Sequence, residues 1–306
     1  MLKYLLYRIK YMYSPWLELV YPVDVTLELS SHCNMKCSYC YHSQKEVPFQ
    51  KGFMSLQTAS KILKEAHENK VSSIKFVWKG EQTLNPNFYQ IAKIAKDYNF
   101  MERIINSNFK FGHEKNDIFN GLCCMTKVKV SFDSFIEEVF EQRDKGSHAL
   151  ILSNIDKFYA IKPKGTELVI QAVRTKRNEH EDIEGAVKKR WPGSSVSIRD
   201  VVSGRKEENI TDLEIKEKPI GRIPCRQAFA RLIFNHKGQA FPCCPDIKEK
   251  LVLGDINFQT IEEIWNGPLA QSLRLSLSHG VAFKKEPCQS CSSFESYKGY
   301  KPNFKA

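Results

Sequence analysis

No run of about 18 apolar residues occurs anywhere in the 306-residue chain, so no membrane-spanning helix is expected. Blocks of five like charges and internal repeats are also missing, which points to a scattered basic surface and excludes a solenoid. Residues 1–13 lack the features of an export signal: Lys3, Arg8 and Lys10 interrupt the apolar part, and no small-residue cleavage site follows. A cytoplasmic location is the expectation. In that segment Leu2, Leu5, Leu6, Ile9 and Met12 recur at helical spacing. The reading is an amphipathic helix packed on the protein body, with peripheral contact by residues 1–13 with a membrane or partner as the alternative. The net charge of +11, from 46 Lys plus Arg against 35 Asp plus Glu, favours an anionic substrate or partner. The lysines are scattered and no aromatic-basic recognition motif accompanies them, so nucleic acid has no strong support.

What is present is an alternation of short strand-like runs and helical stretches. Val23, Val25, Leu27 and Leu29 alternate with Asp24, Thr26 and Glu28, the period of a strand. Further strands are expected at 73–78, 103–107, 127–133, 167–173 and 196–202, separated by amphipathic segments such as the one carrying Leu56, Ala59, Ile62, Leu63 and Ala66. Six such units predict an α/β fold with a parallel sheet, an open partial (β/α)6 barrel. The expected organisation is a lead-in over 1–22, the barrel over 23–202, a polar linker over 203–219, a small cysteine-rich α+β domain over 220–296 and a basic tail over 297–306. The cysteine-rich part contains a hairpin at 230–241 that turns at His236, Lys237 and Gly238, and a helix near 260–278.

Ten cysteines in a chain without an export signal suggest metal ligation rather than disulfides. Cys33, Cys37 and Cys40 lie within eight residues directly after the first strand. Loops at the C-terminal ends of parallel strands are where barrel enzymes keep their chemistry. Three thiolates can hold three corners of a cubane iron-sulfur cluster and leave the fourth iron open. Structural zinc, the alternative, takes four ligands, and only His32 and His42 are close enough to supply one.

This spacing, with Tyr39 before the last cysteine, resembles the hallmark of the radical S-adenosylmethionine (SAM) superfamily. The resemblance continues at Trp78-Lys79-Gly80-Glu81-Gln82, where the family carries Gly-Gly-Glu-Pro; Gly80 and Glu81 match, while Lys79 and Gln82 depart. Ser107 and Asn108 stand where many members have Thr-Asn-Gly, with Phe109 in place of the glycine. Ser131 and Asp133 match a Ser-x-Asp on the fourth strand. The resemblance implies that SAM binds the open iron and contacts Gly80, Glu81, Asn108, Ser131 and Gln171. Reductive cleavage of SAM would then give a 5′-deoxyadenosyl radical that takes a hydrogen atom from the substrate.

Cys225, Cys243, Cys288 and Cys291 suit a fully ligated four-iron cluster, and by themselves would also suit a zinc ribbon. Together with Gly238, Leu253-Gly254-Asp255-Ile256, Ile264-Trp265-Asn266 and Arg274 they look like the twitch module, the shortened SPASM domain. That resemblance implies two [4Fe-4S] clusters, one binding SAM and one auxiliary, and an external one-electron reductant such as flavodoxin or ferredoxin. Cys123 and Cys124 are expected in the core. Cys244, beside the ligand Cys243, is the candidate hydrogen donor. The expected reaction is oxidation of a sugar, aminocyclitol or other small molecule. The alternatives are an epimerase or maturase of a ribosomally made peptide using Cys244, and an iron-sulfur protein without radical chemistry.

Overall fold

The computed structural model describes residues 2–43, 48–200, 225–279, 283–289 and 291. The expected linker at 203–219 and the basic tail lie outside the described residues. Among the described residues nine strands form one sheet in the order β6-β5-β4-β3-β2-β1-β7-β8-β9. Strands β1 (Asp24–Leu27), β2 (Ser73–Phe76), β3 (Glu102–Ser107), β4 (Lys127–Ser131), β5 (Glu167–Arg174) and β6 (Ser195–Asp200) are parallel, each to the next. Helices α2 (Leu56–Glu68), α3 (Phe88–Asp97), α4 (Asn116–Leu122), α5 (Glu137–Phe140), α6 (His148–Ile161) and α7 (Ile183–Arg190) occupy the connections. This is the open partial barrel that the alternation predicts.

Helix α2 illustrates the local logic. The Ser55 hydroxyl accepts the Thr58 N–H at 3.0 Å, capping the first turn. The helix then buries Ala59, Ile62, Leu63 and Ala66, the face read from the sequence, in one core with Val25, Leu27 and Leu29. The alternation on β1 has a different meaning from the usual inside-outside one. Asp24, Thr26 and Glu28 are as fully enclosed as their apolar neighbours. They line the inner face of the sheet, where a fully buried charge persists only when paired. Asp24 pairs with Lys75 and with Arg231 at 3.4 Å, and Glu28 pairs with Lys79 at 3.4 Å.

The cysteine-rich part shares this sheet. After α8 (Gln227–Ala230), β7 (Arg231–Phe234) runs parallel to β1, aligning Arg231 with Asp24. Strands β8 (Gln239–Phe241) and β9 (Gly254–Asp255) follow antiparallel. The expected turn holds: Gly238 has φ +92°, a conformation that suits glycine. The expected helix at 260–278 is instead two, α9 (Ile261–Trp265) and α10 (Pro268–Ser278). Gly267 and Pro268 divide it, because proline at the first position of α10 cannot donate the hydrogen bond that would continue α9.

At the other end of the chain, α1 (Leu2–Tyr13) corrects an expectation. It does sit on the body of the protein, but through Tyr7, its only buried side chain. Leu2, Leu5, Leu6, Ile9 and Met12 all remain exposed.

Candidate active site

The loop from Ser30 to Ser43 leaves the C-terminal end of β1 and carries Cys33, Cys37 and Cys40. Cys37 and Cys40 are close enough to Cys33, and Cys40 to Cys37, to disfavour ionisation of the Cys33 and Cys37 thiols. Burial first, then Glu81 and the other two cysteines, pushes Cys33 up to about 12, and burial pushes Cys37 up to about 11. Thiols gathered in this way remain thiolates only when a cationic centre holds them. The donor set therefore fits the cluster inferred from the spacing.

The loop after β2 holds this cysteine loop in place. Gly80 passes so close that a Cβ would lie 2.4 Å from the Ser30 carbonyl and 2.5 Å from that of His32. The Glu81 N–H donates to the His32 carbonyl at 2.8 Å. Gln82, which stands where the family has proline, is fully buried. Its Oε1 accepts the Leu29 N–H at 2.7 Å, and its Nε2 donates to the Gly80 carbonyl at 2.9 Å.

The Glu81 carboxylate is wholly committed to the scaffold, accepting from the Asn108 N–H at 2.6 Å and the Thr83 hydroxyl at 2.7 Å. Asn108 in turn donates from Nδ2 to Asn34 at 2.8 Å and toward the Cys33 sulfur at 3.9 Å. Phe109 occupies the glycine position of the family pattern with φ +58°, fully buried and ringed by Phe111 and Phe158. Packing holds it in a region that an L-residue disfavours.

A second brace starts at Tyr39, whose hydroxyl donates to the Asp133 carboxylate. Arg143 Nε donates to Asp133 at 3.0 Å and to the Tyr39 oxygen at 3.0 Å, and Nη1 donates to the Ser131 carbonyl at 3.0 Å. Asp133 also accepts the Val173 N–H at 2.9 Å. Burial alone would lower the Arg143 pKa, but Asp133 and Tyr39 raise it above its ordinary value. The motif residue Asp133 thus acts on the cysteine loop through Tyr39. Ser131 and Gln171 are register partners on the inner face. Among the described residues neither side chain makes a hydrogen bond, which leaves both available to a ligand.

The second set also comes together. Burial first and then neighbouring thiols push up the pKa values of Cys225, which feels Cys291, of Cys243, which feels Cys225 and Cys288, and of Cys288, which feels Cys225 and Cys291 and rises to about 12. Cys225 and Cys288 pack beside an apolar cluster of Ala228, Phe229, Leu251, Leu273, Leu277 and Phe283. No three described His, Cys, Asp or Glu residues close on a single-ion site.

Residues 27–182, just over half of the chain, match the family model described as the Radical SAM superfamily. The chain belongs to the radical SAM superfamily. Residues 225–292 match the SPASM domain, described as an iron-sulfur cluster-binding domain. The two matches imply SAM and two [4Fe-4S] clusters for this radical SAM enzyme. A 56-residue stretch is 34% identical to the S-adenosyl-L-methionine-dependent 2-deoxy-scyllo-inosamine dehydrogenase of Niallia circulans, spanning 18% of this chain and 22% of that relative's length. The fold is similar to that of SuiB from Streptococcus suis bound to S-adenosylmethionine (15% identity, TM-score 0.69, 90% of this chain and 72% of that one). It is also similar to anSMEcpe with bound AdoMet (15%, 0.64, 90% and 96%) and to BtrN in complex with AdoMet and 2-DOIA (18%, 0.54, 84% and 87%).

Trp78 and Lys79 join the surroundings of the two cysteine sets. Trp78 Nε1 donates to the Cys244 carbonyl at 2.8 Å, and its ring lies 5.1 Å from that of Phe241. Lys79 lies 4.0 Å from the Trp78 ring centre and binds Glu28 and Glu249. The Cys244 sulfur accepts from Arg231 Nη1 at 3.5 Å. Arg231 aligns with Asp24 on the inner face, so Cys244 points there.

Sequence reasoning missed Lys129. It lies two residues before Ser131, on the same face of β4, and among the described residues no hydrogen bond or ion pair reaches it. Burial pushes its pKa down to about 8, reinforced by Arg199 of β6, Lys127 and Lys75. Arg199 is likewise unpaired among the described residues. The missed signal was the alternation Lys127, Lys129, Ser131, which puts all three on the inner face.

Proposed function

We propose that this radical SAM enzyme oxidises a small hydroxylated molecule, a sugar or cyclitol carrying an anionic group such as phosphate or carboxylate. The supporting observation is the unpaired couple Lys129 and Arg199 beside Ser131 and Gln171. Burial and then Arg199 disfavour the charge on Lys129, and an anionic ligand relieves that penalty. SAM on the first cluster supplies the hydrogen-abstracting radical, and the auxiliary cluster an acceptor for the electron left when the substrate radical loses its proton. Lys129 and Arg199 hold the anionic group, Ser131 and Gln171 offer hydrogen bonds to cofactor or substrate, and Tyr39, Asp133 and Arg143 keep the cysteine loop rigid. Flavodoxin or ferredoxin is the expected reductant.

The similarity to a dehydrogenase in Niallia circulans supports oxidation over other outcomes. Anaerobic turnover with a panel of phosphorylated and carboxylated sugars should give one 5′-deoxyadenosine per oxidised product, with no deuterium from heavy water at the reacting carbon. Turnover of neutral sugars alone would refute the anionic class.

A second reading is supported by Cys244, whose sulfur lies against Arg231 rather than among the four auxiliary ligands. A thiol so placed could return a hydrogen atom and give epimerisation, with a peptide as substrate; SuiB has been crystallised bound to its precursor peptide. In that case heavy water labels the product and Cys244→Ala stops turnover.

A further inference from the structure

Helix α1 turns its apolar side outward. At about 100° per residue, Tyr4, Tyr7 and Tyr11 share one narrow sector, and that sector meets the sheet. The Tyr7 hydroxyl donates to Glu102 at 2.7 Å and to Asp24 at 3.2 Å, Tyr4 reaches Glu102 at 3.5 Å, and the Lys75 ammonium lies 5.5 Å from the Tyr11 ring centre. Leu2, Leu5, Leu6, Ile9, Met12 and Tyr13 fall in the opposite sector, with Leu2 70% and Leu5 55% exposed. Trp16, Leu17 and Val20 extend the patch, and ten of the sixteen exposed large apolar side chains of the described residues lie within residues 2–20. A protein seldom leaves so much apolar surface in one place without a use for it.

The charges say what covers it. Lys3 and Lys10 fall on one flank of the stripe and Arg8 on the other, and no acidic residue precedes Glu18. A second copy of the helix laid against this face would bring cations against cations with no carboxylate on either helix. An anionic lipid surface accepts both features: the acyl boundary takes the leucines while the long cationic side chains reach the headgroups.

We propose that α1 docks in the plane of an anionic membrane surface, with Leu2, Leu5, Leu6, Ile9 and Met12 below the headgroups and Lys3, Arg8 and Lys10 among them. No helix among the described residues is long and apolar enough to cross a membrane, which fits a helix that lies flat. Tyr7 ties α1 to Asp24 and Glu102, which open β1 and β3, whereas the cysteine loop leaves the far end of β1. Docking therefore leaves the SAM-binding end facing the aqueous side.

The test is flotation of the cluster-loaded enzyme with vesicles. Phosphatidylcholine containing about one-third phosphatidylglycerol should carry the protein, and pure phosphatidylcholine should not. High salt should release it. Changing Lys3, Arg8 and Lys10 together to Gln should weaken binding on the order of 100-fold, and Leu5→Asp with Ile9→Asp should abolish it. These side chains are exposed, so iron content and SAM cleavage should stay at wild-type levels, which separates lost docking from lost folding. Trp16 emission should shift to the blue on vesicles and be quenched by brominated lipid, and Trp16→Phe should remove that change. Flotation indifferent to the Asp substitutions, binding equally strong on neutral vesicles, or a dimer that those substitutions dissolve would each overturn the proposal.

Discussion

Replacing Asp133 by alanine removes the acceptor shared by Arg143, the Tyr39 hydroxyl and the Val173 N–H. Arg143 Nε would keep only the Tyr39 oxygen, in a site where the arginine side chain is 8% exposed. Breaking one partner of a buried ion pair costs about 3–5 kcal/mol, and an orphaned buried N–H adds about 1 kcal/mol or more. The expected total is about 4–6 kcal/mol, a large share of the 5–15 kcal/mol typical of folded proteins. With a urea dependence of about 3 kcal/mol per molar, the midpoint should fall by about 1.5 M. Asp133→Asn keeps an acceptor for Val173 and should lose about half as much. Tyr39→Phe, which leaves the ion pair intact, should cost about 1 kcal/mol. Because Tyr39 lies between Cys37 and Cys40, the alanine variant should also lose its first cluster, so that iron falls from about eight per chain to about four. Urea titration followed by circular dichroism, with iron analysis of the same samples, measures both. An alanine variant that unfolds within about 0.3 M of wild type and retains all its iron would show that the brace is not what holds the loop.

Gln82→Pro restores the family residue but orphans the buried Leu29 N–H, and should cost about 2–4 kcal/mol in the same titration. Phe109→Gly relieves a left-handed backbone worth about 1 kcal/mol but empties a buried ring site worth about 3–5 kcal/mol, so a net loss of stability is expected and a gain would refute the packing account. The Lys129 amine is charged below about 8 and neutral above it, so affinity for sulfate, used as a probe anion, should be full at lower pH and fall as pH rises through that value. Calorimetric titration of Lys129→Met should show weak binding with that limb gone.

The strands and both cysteine sets were readable because their signals are local: period-two runs and thiols a few residues apart. The inner-face chemistry was not, because its partners are far apart in the chain. Lys79 looks like a damaged glycine until Glu249 is found beside it, 170 residues away. Gln82 and Asp133 read as cofactor motif positions, yet their side chains serve as structural braces. Periodicity in α1 revealed an apolar stripe but not which way it faces, and the tyrosines that decide this bond to Glu102, 95 residues from Tyr7. The hairpin signal at β7 and β8 likewise carried no information about the neighbour of β7.

That neighbour is β1, and the pairing makes the C-terminal part a poor cassette. The strand that delivers the chain to the first cysteine set is laced along its other edge to the strand that starts beside Cys225. Cutting the chain ahead of Cys225 would not release a self-sufficient barrel; it would bare the backbone edge of β1, whose unpaired N–H and C=O groups invite association with other chains. The separation of the two cysteine sets is likewise ruled by the ladder between adjacent strands rather than by a swinging hinge, so a graft of this region onto another barrel would have to carry that register with it.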